Sequence, residues 1–266
     1  MIINNKKDGH VHSPYCPHGT DDSFDMYIEN AIKKGLSEIS FTEHMPLPAV
    51  FMDEDFLKEC NISFEQAEDY LRDVSEYKKK YKGKIKINAG FEVDYVEGYE
   101  EKIKDILNSY GSRIEDSLLS VHFAKYKGKY QAVDTKERFE LLTHEVGSIE
   151  GVYDLYYNTV LKAVKSDLGK FKPKRIGHLS LIRVFNQLYS TDYFNEKLFK
   201  EILTEIKNKN YQIDFNTSGL RKPYCKETYP AGALLELIKE YDIDIVYGSD
   251  SHKAEDVASD FDLEVI

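Results

Sequence analysis

The stretch Asp8-Gly9-His10-Val11-His12 ends the first short apolar run of the chain and places two histidines one residue apart. Side chains of a β-strand alternate between its two faces, so His10 and His12 project to the same side. Similar runs, rich in β-branched and apolar residues, recur along the chain. The seven runs that we predict as strands are residues 9–11, 37–42, 84–93, 117–121, 175–178, 211–215 and 243–247.

Segments with helical spacing lie between these runs. Ser23 precedes apolar side chains spaced by three and four residues, and Gly35 follows them, as expected of an N-cap and a C-terminal glycine. Ser63 and Gln66 have the spacing of a capping box. Strands that alternate with helices pair in parallel through right-handed crossovers. The sequence therefore predicts an α/β fold, either a TIM-like (βα) barrel with seven units or an open doubly wound sheet.

Histidines and acids concentrate at one end of the predicted strands. Seven of the eight histidines lie at or just after the carboxyl end of a strand, whereas His144 falls within a helical run and is expected at the surface or in packing. Two acids share the strand-end placement. A barrel gathers its strand ends around one pocket, so this clustering favours the barrel over the open sheet. The nine residues are His10, His12, His18, His44, Glu92, His122, His178, Asp250 and His252.

The chemistry of these side chains indicates bound metal. Imidazole and carboxylate groups are ligands of zinc, iron and manganese. Nine such groups are too many for one ion but suit two to three divalent transition metal ions if a carboxylate bridges them. Three ions with two carboxylates and a bridging hydroxide leave a net charge of about +3, which attracts a phosphate dianion. The residues therefore favour metal-assisted hydrolysis of a phosphate ester.

Composition limits the remaining classes of protein. The 266 residues carry a formal net charge of -11, which disfavours capture of a nucleic-acid backbone. No apolar stretch is long enough to span a membrane, and the odd number of widely spaced cysteines suits a reducing compartment. We therefore expect a cytoplasmic protein with one domain over residues 1–266 and no nucleic-acid or membrane partner.

In order and over nearly the whole chain, these motifs resemble those of the PHP (polymerase and histidinol phosphatase) family. Within it, the sequence is most similar to the monofunctional histidinol-phosphate phosphatases of histidine biosynthesis. The resemblance implies a distorted (βα)7 barrel and the hydrolysis of L-histidinol phosphate to L-histidinol and inorganic phosphate. The motifs that carry it are Asp8-Gly-His-Val-His12-Ser13, His18, Phe41-Thr-Glu-His44, Glu92, Ser120-Val-His122-Phe123, Gly177-His178, Asn216-Thr-Ser-Gly-Leu-Arg-Lys222 and Gly248-Ser-Asp-Ser-His252.

The resemblance also implies a role for each of the nine residues. A hydroxide held between metal ions would attack phosphorus, with Glu92 as the bridging carboxylate. Asp250 or a nearby histidine such as His252 would protonate the departing alkoxide. Family members carry zinc, manganese or iron. By position, the first metal would be held by His10, His12, Glu92 and Asp250, the second by Glu92, His122 and His178, and the third by His18, His44 and His252.

Basic and aromatic residues near these ligands are candidates for substrate binding. A guanidinium binds phosphate oxygens bidentately, which nominates Arg221 after the sixth predicted strand and Arg183 after the fifth. Lys222 is a further candidate for the phosphate. Phe123 and Tyr224 are candidates for an aromatic surface that contacts the imidazole of the substrate.

Two other functions stay open on the sequence. One keeps the metals and changes the substrate to a nucleotide or another small phosphate ester. The other is a noncatalytic PHP module that binds a partner, and the complete ligand set counts against it. The segment 46–60 is either a mobile cover over the site or loop packing, and the sequence favours neither.

Overall fold

The computed structural model describes residues 1–263, so residues 264–266 of the predicted domain lie outside the described residues. All seven predicted strands are present within that range, and three more accompany them. The strands are β1 (Ile3–Asn4), β2 (Lys7–Val11), β3 (Glu38–His44), β4 (Lys86–Asp94), β5 (Leu118–Ser120), β6 (Phe123–Tyr126), β7 (Lys129–Ala132), β8 (Arg175–Ile176), β9 (Gln212–Asn216) and β10 (Ile245–Gly248).

Eight of these strands form one parallel sheet in the order β1-β10-β9-β8-β5-β4-β3-β2. β1 pairs with β10 and β2 pairs with β3, so the two short strands together occupy one position in the ring. The sheet closes where Val11 forms a parallel bridge with Ser251 and the His12 amide donates to the Ser251 carbonyl at 3.0 Å. The distorted (βα)7 barrel is thus confirmed, and the open doubly wound sheet is wrong.

Helices surround the barrel and begin where the sequence predicts caps. The Gln66 amide donates to Ser63 Oγ at 3.2 Å and the Ser63 amide donates to Gln66 Oε1 at 2.9 Å, which confirms the capping box. His144 is exposed on its helix. No helix within residues 1–263 is long and apolar enough to cross a membrane. The helices are α1 (Phe24–Lys33), α2 (Glu54–Cys60), α3 (Phe64–Lys80), α4 (Glu100–Tyr110), α5 (Lys136–Val146), α6 (Ile149–Lys165), α7 (Glu196–Asn208), α8 (Ser218–Arg221) and α9 (Gly232–Glu240).

A β-hairpin interrupts the alternation of strands and helices. β6 and β7 pair in antiparallel fashion directly after His122, and the sequence analysis did not predict them. Lys127 and Gly128 join them with φ values of 46° and 83°, and positive φ at both positions is typical of a two-residue hairpin turn. The Val133 amide then donates to the His122 carbonyl at 2.9 Å, which returns the chain to the end of β5.

The segment 46–60 packs against this hairpin and contains the unpredicted helix α2. The ring of Phe51 lies 5.1 Å from that of Phe123 and 5.0 Å from that of Tyr130, measured between centroids. At the start of α2, the Phe56 amide donates to Asp53 Oδ1 at 2.8 Å. These contacts favour loop packing over a mobile cover.

A buried ionic cluster lies at the amino ends of the strands. Arg175, only 1% exposed, donates from Nη1 to Asp116 Oδ1 at 3.0 Å and from Nη2 to the Gly9 carbonyl at 2.6 Å. Lys7 Nζ lies 2.8 Å from Asp116 Oδ2. Because Lys7 and Arg175 each begin a strand, this cluster lies at the opposite end of the barrel from the predicted ligands.

Candidate metal centre

Glu92 of β4 lies at the middle of the histidines that end the neighbouring strands, and it is only 1% exposed. Imidazoles approach both of its carboxylate oxygens, as they would around a carboxylate shared by two ions. The distances are 3.4 Å from His10 Nε2, 3.5 Å from His12 Nε2 and 3.3 Å from His44 Nδ1 to Oε2, and 2.7 Å from His178 Nε2 and 3.6 Å from His122 Nε2 to Oε1.

The other three predicted ligands join the same cluster. Asp250 Oδ1 lies 3.2 Å from His12 Nε2 and 3.6 Å from His10 Nε2. His18 Nε2 lies 3.1 Å from His252 Nε2. Asp250 has a φ of 51°, a left-handed conformation that is uncommon outside glycine and is typical of constrained functional turns. The structure therefore brings all nine predicted ligand residues together.

The possible ligand atoms form three groups, each spanning no more than 4.8 Å, among the described residues. Two groups share Glu92. The third contains the buried thiol of Cys16, which the sequence analysis did not include among the ligands, although it lies in the loop between His12 and His18. The groups are His10, His12 and Glu92; Glu92, His122 and His178; and His12, Cys16, His44 and His252.

This donor set fits transition metal ions. Within residues 1–263, the Nε2 atoms of His10, His12 and His44 are buried without a hydrogen-bond partner. A buried polar atom without a partner is unfavourable, and coordination of a cation would satisfy it. Imidazole and carboxylate ligands suit zinc, manganese and iron. The chain therefore provides a site for several divalent transition metal ions.

Three carboxylates orient the imidazoles through their Nδ1 atoms, and none of the three was predicted from the sequence. Such hydrogen bonds fix the ring orientation and the tautomer of a metal-binding histidine. Asp94 follows Glu92 by two residues on the same strand face, so strand alternation was the available signal for it. His122 Nδ1 donates to Asp94 at 2.6 Å, His10 Nδ1 donates to Asp214 at 2.8 Å, and His12 Nδ1 lies 3.3 Å from Glu43.

Burial and charge set the protonation of the metal-free centre. Burial raises the pKa of Glu92, but the imidazoles of His10 and His122 hold it well below its usual range. Burial lowers the pKa of His10, but the carboxylates of Asp250 and Glu92 raise it to about 10. The pKa of His122 likewise rises to about 10 because Asp94 and Glu92 outweigh burial. The surrounding carboxylates therefore favour the protonated form of His10 and His122 in the metal-free centre.

The centre forms the floor of a cavity of about 620 Å³. Its walls come from the loops after the strands, and no residue of the segment 46–60 is among the lining residues described. The 3-10 turn Leu181–Phe185 after β8 supplies an apolar wall. Cationic groups come from the loops after β9 and β10, and one separate acid comes from the end of the hairpin. The residues concerned are Leu181, Val184 and Phe185, then Arg221, Lys222 and Lys253, and finally Asp134.

Arg221 lines this cavity, and part of its guanidinium is already engaged. Nη2 donates to the Ser249 carbonyl at 2.5 Å, and Nε lies 3.4 Å from Asp256 Oδ2. Nη1 is buried, has no hydrogen-bond partner within residues 1–263 and lies 3.7 Å from Asp260 Oδ2. Arg221 thus lines the cavity as a cation whose charge is partly offset by Asp256 and Asp260.

The structure separates the other predicted substrate residues. Lys222 and Tyr224 line the cavity beside Arg221. Arg183 instead pairs with Glu227, with Nη2 3.1 Å from Oε2, and lines a different cavity. Phe123 is 2% exposed in the packing of the hairpin and is not among the lining residues described for the metal cavity.

Comparison with known proteins identifies relatives over nearly the full length of the chain. The PHP domain family matches residues 8–218. The histidinol-phosphatase of Bacillus subtilis is 41% identical over 255 residues, which cover 95% of each chain. A Listeria monocytogenes structure, provisionally described as a histidinol phosphatase, has a TM-score of 0.90 at 36% identity and covers 96% of this chain and 98% of that chain.

A second solved structure supports the fold. It is a Lactococcus lactis histidinol phosphate phosphatase in complex with zinc, L-histidinol and phosphate. Its TM-score is 0.70 at 23% identity, and the match covers 95% of this chain and 88% of that chain.

A closed α/β barrel with a multinuclear metal site at its strand ends defines a class of metal-dependent hydrolases. Within that class, the family match and the similarity to the Bacillus subtilis protein are decisive. The chain belongs to the PHP family, which confirms the resemblance seen in its motifs.

Proposed function

We propose that this protein hydrolyses L-histidinol phosphate to L-histidinol and inorganic phosphate, a step of histidine biosynthesis. The observation that carries the proposal is a complete metal-ligand centre beneath a cation-lined cavity, in a chain 41% identical to a histidinol-phosphatase over 95% of both chains. The complete ligand centre counts against a noncatalytic binding module.

The nine ligand residues would hold two to three ions in the sets assigned above by position. When bound, the ions polarise the phosphate ester and make a nearby water more acidic. Glu92, ionised and flanked by imidazoles on both oxygens, would link the sets. His122 and His10 are held in place by Asp94 and Asp214, so the protein sets the ligand geometry before any ion binds.

We assign proton transfer to Asp250. Burial raises the pKa of its carboxyl, but His10 and His12 hold it well below its usual range, so Asp250 is ionised in the resting site. It accepts the proton of the attacking water as the oxygen–phosphorus bond forms. It then gives that proton to the alkoxide oxygen of histidinol as the second phosphorus–oxygen bond breaks. His252, whose pKa is lowered well below its usual value by burial and by His12, is neutral beside it.

The cationic residues of the cavity wall would bind the phosphate. Nη1 of Arg221 makes no hydrogen bond within the described residues, and Lys222 follows Arg221 in the same loop. Hydrogen bonds from charged donors to phosphate oxygens are about twice as strong as neutral ones. Tyr224, 42% exposed on the same wall, offers an aromatic face to the rest of the substrate.

A panel of phosphate esters tests the proposal. With metal-replete enzyme, kcat/KM for histidinol phosphate should exceed that for p-nitrophenyl phosphate by at least about 100-fold, or about 2.7 kcal/mol. Enzyme treated with a chelator should be inactive and should recover on addition of zinc, manganese or iron. If a nucleotide were cleaved with an equal kcat/KM, the assignment of histidinol phosphate as the substrate would be wrong, and the assignment as a phosphoesterase would stand. Failure to cleave any phosphate ester would contradict both assignments.

We further propose that residues 1–266 act as one domain in the cytoplasm. Pairing of β1 with β10 joins the start of the chain to its last strand, which supports a single unit. The three cysteines within the described range are free, as suits a reducing compartment.

A further inference from the structure

We propose that Asp134 determines substrate specificity by binding the positively charged nitrogen of the substrate at the end of the cavity away from the phosphate. This inference rests on the proposed function, because histidinol phosphate carries an ammonium group and an imidazole beside its phosphate ester. No residue was predicted from the sequence to bind this positive charge.

The fold fixes Asp134 beside the metal centre. Asp134 follows the hairpin of β6 and β7, and the preceding amide of Val133 donates to the carbonyl of His122 at 2.9 Å. The backbone that carries Asp134 is therefore tied to a residue of the ligand cluster. Its side chain lines the same cavity as His122.

The carboxylate of Asp134 is exposed and has no hydrogen bond or ion pair with any residue in the range 1–263, and it contributes to raising the pKa of the nearby His122. The two cations of the adjoining helix turn are engaged elsewhere: Lys136 Nζ lies 3.6 Å from Glu140, and the guanidinium of Arg138 lies 3.9 Å from the ring centroid of Phe56. An unpaired carboxylate at a cavity rim is available to a cationic ligand.

The other acid on the rim differs in this respect. Asp256 Oδ2 lies 3.4 Å from Arg221 Nε and 3.7 Å from Lys253 Nζ, so its charge is already balanced by groups of the protein. Asp134 is thus better placed than Asp256 to bind a positive charge from the substrate.

The order of the strands arranges the cavity wall in three parts. The cationic loops follow β9 and β10, the apolar turn Leu181–Phe185 follows the adjacent β8, and Asp134 follows the insertion after β5, the next strand in the ring. Histidinol phosphate has the same sequence of groups: a dianionic phosphate, a short carbon chain and cationic nitrogen. Charges of opposite sign at the two ends of the wall would admit the substrate in one orientation and disfavour purely anionic phosphate esters.

Steady-state kinetics on Asp134→Asn tests this role. We expect kcat/KM for histidinol phosphate to fall about 10- to 100-fold, as for the loss of one charge-assisted hydrogen bond, while that for p-nitrophenyl phosphate changes by less than about twofold. Asp134→Glu should recover most of the loss because it restores the charge. The matched control is Glu137→Gln, which removes an exposed acid of α5 outside the cavity and should leave both substrates unaffected.

Two substrate analogues identify the nitrogen that is bound. Phosphoethanolamine keeps the ammonium without the imidazole, and 3-(imidazol-4-yl)propyl phosphate keeps the imidazole without the ammonium. The analogue that retains the bound nitrogen should lose activity with Asp134→Asn, and the other should not. Equal losses on p-nitrophenyl phosphate and histidinol phosphate, or no loss on either, would overturn the role of Asp134.

Failure of the proposed function has a different signature. If the wild-type enzyme did not cleave histidinol phosphate but cleaved other phosphate esters, the proposed function would be wrong. In that case the role of Asp134 would be supported if Asp134→Asn lowered kcat/KM for phosphoethanolamine more than kcat/KM for p-nitrophenyl phosphate. Equal losses of kcat/KM on the two substrates would contradict that role.

Discussion

Glu92 is the residue on which the metal centre depends, since its two oxygens face different imidazoles. His10 and His12 approach Oε2, and His178 approaches Oε1 at 2.7 Å. Its charge matters as much as its position. An amide has nearly the same shape but carries no negative charge to offset two cations, and one of its two coordinating oxygens is replaced by nitrogen.

The substitution Glu92→Gln should therefore lower metal content and activity together, each by on the order of 10-fold or more. Elemental analysis after identical dialysis gives the metal content, and phosphate release gives the activity. Glu101→Gln, on the exposed side of α4, is the control and should match the wild type. Full metal content with full activity in Glu92→Gln would show that Glu92 bridges nothing.

Arg221 and Arg183 were both candidates for phosphate binding from the sequence, with Arg221 preferred, and the structure distinguishes them further. Arg221→Ala should reduce kcat/KM by about 2 to 4 kcal/mol, because a charge-assisted contact to phosphate is lost in a cavity partly shielded from water. Arg183→Ala removes a cation that pairs with Glu227 outside the metal cavity, so its effect on kcat/KM should be much smaller. A loss of less than about threefold in Arg221→Ala would assign phosphate binding to another group.

At the scale of elements, the strand ends were predictable and the insertions were not. Parallel strands bring their carboxyl ends to one edge, so motifs such as Asp8–His12 and 248–252 locate ligands without any tertiary information. The hairpin of β6 and β7 depends on a Lys127-Gly128 turn between short strands in which lysine and tyrosine recur, a weak strand signal. Asp134 was missed for this reason, since only the folded hairpin returns it to His122.

The orienting acids were missed for a different physical reason. The neighbouring residues in the sequence do not distinguish an aspartate that hydrogen-bonds to a histidine from one that is exposed to solvent. Only the folded barrel shows that His10 contacts Asp214, which lies 204 positions away in the chain. Cys16 illustrates the same limit, because a buried thiol becomes a possible ligand only when His44 and His252 converge on it.

At the scale of the whole molecule, the barrel holds a charged cluster at each end. The ligand cluster has buried nitrogens without hydrogen-bond partners in the described chain and depends on metal ions. The cluster of Lys7, Asp116 and Arg175 is held by its own ion pairs and hydrogen bonds, and only Nε of Arg175 is buried there without a partner in the described chain. The ligand cluster is therefore suited to metal binding, and the cluster of Lys7, Asp116 and Arg175 contributes to folding stability independently of metal.

The second cluster makes stability depend on pH in a defined direction. Burial raises the pKa of Asp116, but Arg175 and Lys7 hold it well below its usual value of 3.8. A carboxyl whose pKa is lower in the folded state stabilises the fold above its unfolded pKa and loses that contribution as the pH falls below it. Stabilisation by Asp116 should thus be complete at neutral pH and should decline in acid.

Asp116→Asn measures this contribution, because asparagine keeps the shape and cannot ionise. The variant should unfold with a free energy about 2 to 3 kcal/mol lower than the wild type at pH 7, since Arg175 then keeps a buried charge without its carboxylate. Between pH 7 and pH 3 that difference should shrink by about 1 kcal/mol. Urea unfolding of both proteins at each pH supplies the values, and acid effects on the shared metal ligands cancel in the difference. A gap that stays constant or widens in acid would contradict the ionic role of Asp116.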